Sequence, residues 1–112
     1  MSSPKFDVIV CGSLHLDIVV DSTHLPQLDE TVTGSAWQMV CGGKGGNQAV
    51  MSARLGARTA MIGSVGRDDF GARLVSNLQA SQVDCAEVEV QNTGGSGMSV
   101  AIMTAGGDYG AV

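Results

Sequence analysis

GGKGGNQAVMSARLGARTAMIGSVG, residues 42–66, passes from a glycine cluster around one lysine into a helix-forming run and then into an apolar strand. Glycine in or beside a helix costs roughly 1 kcal/mol against alanine. Four of them at a helix start mark a backbone that something must approach closely. NQAVMSARLGA (47–57) supplies the helix formers, and Gly56 stands where a helix C-terminus takes a left-handed residue. RTAMIGSVG (58–66) is short, apolar and punctuated by glycine, the pattern of a buried strand.

The surrounding segments extend this pattern. DDFGARLVSNLQASQV (68–83) puts Phe70, Leu74, Val75 and Leu78 at helical spacing behind Asp68 and Asp69, whose charges suit a helix N-terminus. FDVIVCG (6–12) predicts a strand covered on both faces, and DIVVD (17–21) a second short strand. HLPQLDE (24–30) reads as a loop, and ETVTGSAWQMVC (30–41) as two short strands or one bent strand. AEVEVQ (86–91) and GMSVAIMT (97–104) predict further strands, the latter with Met98, Val100 and Ile102 on one face; AGGDYG (105–110) predicts a turn. The strand–helix–strand–helix centre indicates an α/β fold with a parallel sheet. The short strands at 17–41 and 86–104 look like an appendage to it.

Composition narrows the function classes. A chain of 112 residues with 44% apolar content is enough for one small packed domain. A net charge of −5 argues against nucleic acid as a partner, because phosphate binding needs clustered Lys and Arg. Cys11, Cys41 and Cys85 are an odd count without CxxC spacing, and read as buried, reduced thiols. The apolar run near the N-terminus is too short for a signal peptide or a membrane span, so a soluble cytoplasmic protein with no membrane partner is expected.

The glycine cluster excludes two phosphate-binding motifs. A Walker loop needs glycine where Gln38 stands and Ser or Thr after the lysine, where Gly45 stands. A dinucleotide fingerprint starting at Gly43 needs glycine at Gln48. A polar clamp remains open: glycines that admit a ligand, helix-start amides as donors, and Lys44 and Asn47 as side-chain partners for a hydroxyl-rich molecule. The plain alternative is a glycine-rich turn with a solvated lysine.

The same stretch closely resembles the first signature of the ribokinase family, the PfkB-type carbohydrate kinases. Gly42, Gly43, Asn47, Ala49, Gly56 and Gly66 fall at the spacings of that signature, and VGRDDFG and CGSLHLD resemble neighbouring family segments. The resemblance implies a ribokinase-like α/β fold: a central, mostly parallel sheet flanked by helices (about 5–16 and 42–85) with a small β-sheet lid (about 17–41 and 86–112). It implies a kinase transferring the γ-phosphoryl of ATP to a hydroxymethyl group of ribose or a related sugar. A ribonucleoside kinase and a non-catalytic sugar-binding or dimerising fragment are the alternatives. It implies Mg²⁺, leaves room for a monovalent cation, and suggests a homodimer through the lid.

Residue by residue, the resemblance assigns Asp17 to sugar hydroxyls, which a carboxylate accepts two at a time, and Gly43, Lys44 and Asn47 to the sugar-contacting segment. On that reading the glycines let the backbone close on a sugar. His15 stands where the family pattern has Asn; it stays in the candidate site and turns the choice of sugar into an open question. His24 reads as a solvated loop residue. The family's second signature, G-A-G-D, whose aspartate is the general base, does not occur in residues 1–112. The chain therefore reads as the N-terminal, substrate-binding part of such a kinase, inactive alone, with the base beyond Val112 and no metal ligands of its own.

Overall fold

The computed structural model describes residues 4–112. Along the chain run β1 (Val8–Cys11), β2 (His15–Ser22), β3 (Ala36–Gly42), α1 (Lys44–Arg54), β4 (Thr59–Gly66), α2 (Asp69–Ala80), β5 (Asp84–Gln91), β6 (Gly97–Thr104) and β7 (Tyr109–Ala111). They form two units: the residues through Leu16 with Cys41–Gly97, and Asp17–Val40 with Met98–Val112.

In the first unit β1, β4 and β5 make a parallel sheet in that order. The registers Val10↔Met61 and Gly63↔Val88 put Val10, Met61 and Val88 on one face, since side chains alternate along a strand. Both helices pack there. Ala49 of α1 and Leu74 and Leu78 of α2 close a core with Val10, Met61 and Val65. Helix α1 ends as Gly56 foretells: Gly56, at φ 96°, donates its N–H to Ala53 O while Ala57 N donates to Ser52 O. This satisfies carbonyls that the last turn would leave orphaned. At the start of the sheet Asp7 accepts from Arg58 Nη2 at 2.8 Å, Arg58 Nε at 3.1 Å and the Arg58 amide at 2.8 Å. The guanidinium bonds hold the Asp7 carboxyl down at about 2.

Two expectations change here. β1 is covered on one face only, because both helices lie on the Val10 side; Ile9 is 60% exposed, and Cys11 is exposed with it. AEVEVQ belongs to the parallel sheet rather than to the small sheet, so the core unit continues through Gly97 instead of ending near 85. As an edge strand with one face on α2, β5 alternates Val88 inward with the exposed Glu87 and Glu89. Alternation of that kind reads as a strand of an antiparallel sheet.

The second unit is a four-stranded sheet ordered β3–β2–β6–β7, with β6 and β7 antiparallel through Ala101↔Ala111 and Met103↔Tyr109. Its 30–41 segment is a loop followed by the single strand β3. AGGDYG is a turn only up to Asp108; Gly107 takes φ 87°, its amide donates to Thr104 O, and β7 begins at Tyr109. The 22–35 loop is organised by Glu30, which accepts from Gln27 N and lies 3.0 Å from His24 Nε2; His24 is exposed but partnered. Among the described residues no helix is long and apolar enough to cross a membrane.

Candidate functional site

The chain leaves β3 at Gly42, turns at Gly43 (φ 94°, ψ 140°) and enters α1 at Lys44. Gly43 lies against the loop between β1 and β2. A Cβ there would stand 2.5 Å from Ser13 O, and one on Gly45 would stand 2.8 Å from the Gly12 carbonyl carbon. The Gly46 amide donates to Ser13 O at 3.1 Å. The sequence reading gives these glycines to a ligand; at Gly43 and Gly45 the structure gives the space to the protein's own backbone. They are required so that the helix start can dock on the Gly12–Leu14 loop.

The chemistry of this helix start remains polar. Its N-cap is a glycine and offers no side-chain acceptor, so the first-turn amides lack a side-chain cap. Lys44 and Asn47, three residues apart, share one side of the first turn. Both are exposed, and neither side chain is engaged by another described residue. His15, also exposed, opens β2 in the same unit; a Cβ on Gly97 would stand 3.2 Å from its Cδ2, so the imidazole lies beside a glycine that leaves it room. Of the five candidate residues, Gly43, Lys44, Asn47 and His15 therefore belong to the parallel unit, and Asp17 to the antiparallel one.

Asp17 sits on β2, half-buried, and accepts a hydrogen bond on Oδ1 from Ser99 Oγ of the neighbouring strand β6 at 2.8 Å. Sequence reasoning missed Ser99. Its signal was a serine hydroxyl inside the apolar run GMSVAIMT.

A second network also went unread. Asp68 caps α2 by accepting from Gly71 N at 2.8 Å, and it accepts from Ser96 Oγ at 2.6 Å and Ser96 N at 2.8 Å. Ser96 Oγ in turn accepts from Gly66 N at 2.9 Å. The Ser96 donors, with the Gly71 amide, lower the Asp68 carboxyl below its ordinary range. This carboxylate fastens the loop before β6 to the end of β4, a structural task that leaves its oxygens occupied. Only its place at a helix N-terminus was legible, from the charges of Asp68 and Asp69 ahead of a helical run.

Among the described residues no group of three His, Cys, Asp or Glu side chains could hold a metal ion. An open concavity of about 760 Å³ lies on the uncovered sheet face, lined by Cys11, Ile62, Glu87 and Glu89 among others, and includes none of the candidate residues.

The sequence profile of the pfkB family carbohydrate kinases matches residues 5–112. The chain is 48% identical over 77 residues to a ribokinase of Bacillus subtilis, covering 69% of this chain and 26% of that protein. It is 35% identical over 83 residues to a deoxyribokinase of Salmonella typhi, covering 74% of this chain and 27% of that protein. Among solved structures, Arabidopsis thaliana ribokinase complexed with ribose and ATP superposes with a TM-score of 0.87 at 30% identity, over 94% of this chain and 34% of that one. The aligned part thus spans about a quarter to a third of the length of these relatives.

Proposed function

The chain belongs to the pfkB family of carbohydrate kinases, and from that membership we propose that it carries the sugar-binding elements of a kinase that phosphorylates a hydroxymethyl group of ribose or deoxyribose. The observation that carries the proposal is the α1 start: a helix N-terminus without a side-chain cap, with Lys44 and Asn47 exposed on one side of its first turn. This donor-rich surface occurs in a chain 48% identical over 77 residues to a ribokinase. Lys44 donates to sugar oxygens, Asn47 both donates and accepts, and the Asp17 carboxylate accepts from hydroxyls. His15 bears on which sugar is taken.

The phosphoryl donor in this proposal is ATP with Mg²⁺, which spreads the charge of the transferring group. The described residues supply neither metal ligands nor a G-A-G-D aspartate, so the proton acceptor and the nucleotide pocket are assigned to residues outside the 112. Exposed Trp37 (68%) and Tyr109 (62%) on the antiparallel unit support a homodimer through that unit.

The test is a pair of measurements on this polypeptide. Titration with D-ribose and 2-deoxy-D-ribose, followed by amide NMR, is expected to show saturable binding that Asp17→Asn weakens about ten- to a hundredfold. Incubation with ATP, Mg²⁺ and either sugar is expected to give no phosphorylated product. Absence of sugar binding would overturn the sugar assignment, and turnover would overturn the placement of the base.

A further inference from the structure

Asp17 is half-buried, and its carboxylate has about four lone-pair sites to satisfy. One hydrogen bond serves it among the described residues, from Ser99 Oγ to Oδ1 at 2.8 Å. Oδ2 has no protein donor among them. Ser99 reaches it from the adjacent strand, where Ser99 and Ala101 share a face because side chains alternate. Ala101 is the buried residue of β6, at 7% exposure, so the backbone under Ser99 is anchored by packing rather than left to fray.

We propose that Ser99 is a positioning residue for Asp17: its hydroxyl holds Oδ1 so that Oδ2 and the remaining Oδ1 lone pair are presented to two adjacent hydroxyls of the sugar. The inference rests on the reading that Asp17 contacts the sugar, and adds what orients it. A free carboxylate on a strand rotates about its side-chain bonds between several staggered states. A fixed donor on one oxygen selects among those states before the ligand arrives, so less freedom is lost on binding. Ser99 spends its own proton on Asp17, which leaves its lone pairs as the only part of it that can meet a ligand. It therefore acts on the sugar through the carboxylate. The ligand class follows: a polyol with neighbouring hydroxyls, rather than a ligand that offers a single donor.

The experiment uses the whole 112-residue chain and D-ribose as probe, with binding read by amide NMR titration. Ser99→Thr keeps the hydroxyl and Ser99→Val has the same shape without it, so the pair isolates the hydrogen bond from packing. Ser99→Thr is expected to bind as the parent does, and Ser99→Val about two- to tenfold more weakly, the span of an ordinary hydrogen bond. In an Asp17→Asn background the Thr/Val difference is expected to vanish, because the two residues act as one unit. A purely structural role for Ser99 gives a difference that persists in that background, and this result overturns the proposal. If Asp17→Asn weakens ribose binding while Thr and Val bind alike, Ser99 is not a positioning residue and the sugar reading stands. If Asp17→Asn leaves ribose binding unchanged, the sugar reading itself fails and this inference falls with it. Should Ser99→Val not fold, Ser99→Ala replaces it in the same cycle.

Discussion

Among the described residues, every buried apolar side chain except Ala101 belongs to the parallel unit; Ala101 belongs to the antiparallel one. The parallel unit has two helices laid on one face of its sheet, so Met61, Leu74 and Leu78 lose nearly all contact with water. In the antiparallel unit the sheet is joined by loops, and apart from Ala101 its strand residues are half-buried or exposed. Burial of apolar surface is the dominant favourable term in folding, while a sheet without a packed face is marginal in water. One unit is held by a core; the other is held by ladder hydrogen bonds and by polar turns such as those at Glu30 and Thr104. The residue proposed to meet the sugar, Asp17, lies in the second kind of structure.

The contrast is broken most directly by truncating one side chain in each unit. Leu74→Ala is expected to cost about 2–5 kcal/mol in urea unfolding, the range for a fully enclosed leucine. Val19→Ala, on the half-buried β2, is expected to cost about 1 kcal/mol or less. Equal losses would show that the antiparallel unit has a core after all.

Two glycines sharpen it further. Gly43 and Gly107 both have left-handed φ, 94° and 87°, yet a Cβ at Gly43 meets Ser13 O at 2.5 Å while one at Gly107 meets nothing within 4 Å. Gly107→Ala carries only the conformational cost, about 1 kcal/mol. Gly43→Ala adds a backbone collision and is expected to cost about 2 kcal/mol or more. Similar midpoints for the two variants would contradict the docking of α1 on the Gly12–Leu14 loop.

Native-state hydrogen exchange reads the difference without mutation. Amides of β4, the central strand of the parallel sheet, are expected to exchange at least about tenfold more slowly than those paired between β6 and β7. Uniform protection would mean that the two units open together.

The smallest expected effect is at the sheet entrance. Asp7 sits at about 2 in the folded chain against an ordinary 3.8, through its bonds to Arg58. A lowered folded value means that its contribution is complete above pH 4 and is lost as pH falls towards 2. Asp7→Asn is expected to flatten the acid limb of stability over that window, by lowering stability slightly at pH 7, where the exposed pair is well screened, and leaving it unchanged near pH 2, where the parent's own carboxyl is protonated. An acid limb identical to the parent's would remove Asp7 from the account.

What could be read in advance was local. Phe70, Leu74, Val75 and Leu78 recur at helical spacing, Asp68 and Asp69 stand where their charges suit the helix N-terminus, and Gly56 marks the stop of α1; each depends on neighbours a few residues away. The strand patterns were legible for the same reason, as was the run GMSVAIMT, which is β6 to the residue. Failures came where the deciding partner is distant in sequence. β5 alternates because α2 covers only one of its faces, and Ile9 is exposed because both helices chose the other side.

The amino-acid sequence by itself determined the α/β alternation, the presence of the two helices and the family, because these follow from periodicity, capping residues and glycine spacing within short windows. Tertiary structure alone decided that β5 joins the parallel sheet, that the Gly43 and Gly45 hydrogens face the Gly12–Leu14 backbone, and that Ser99 lies 2.8 Å from Asp17, 82 residues away. Contacts of that span are set by how strands pair and helices dock, and no local pattern of residue types encodes which distant backbone will fill the space a glycine leaves.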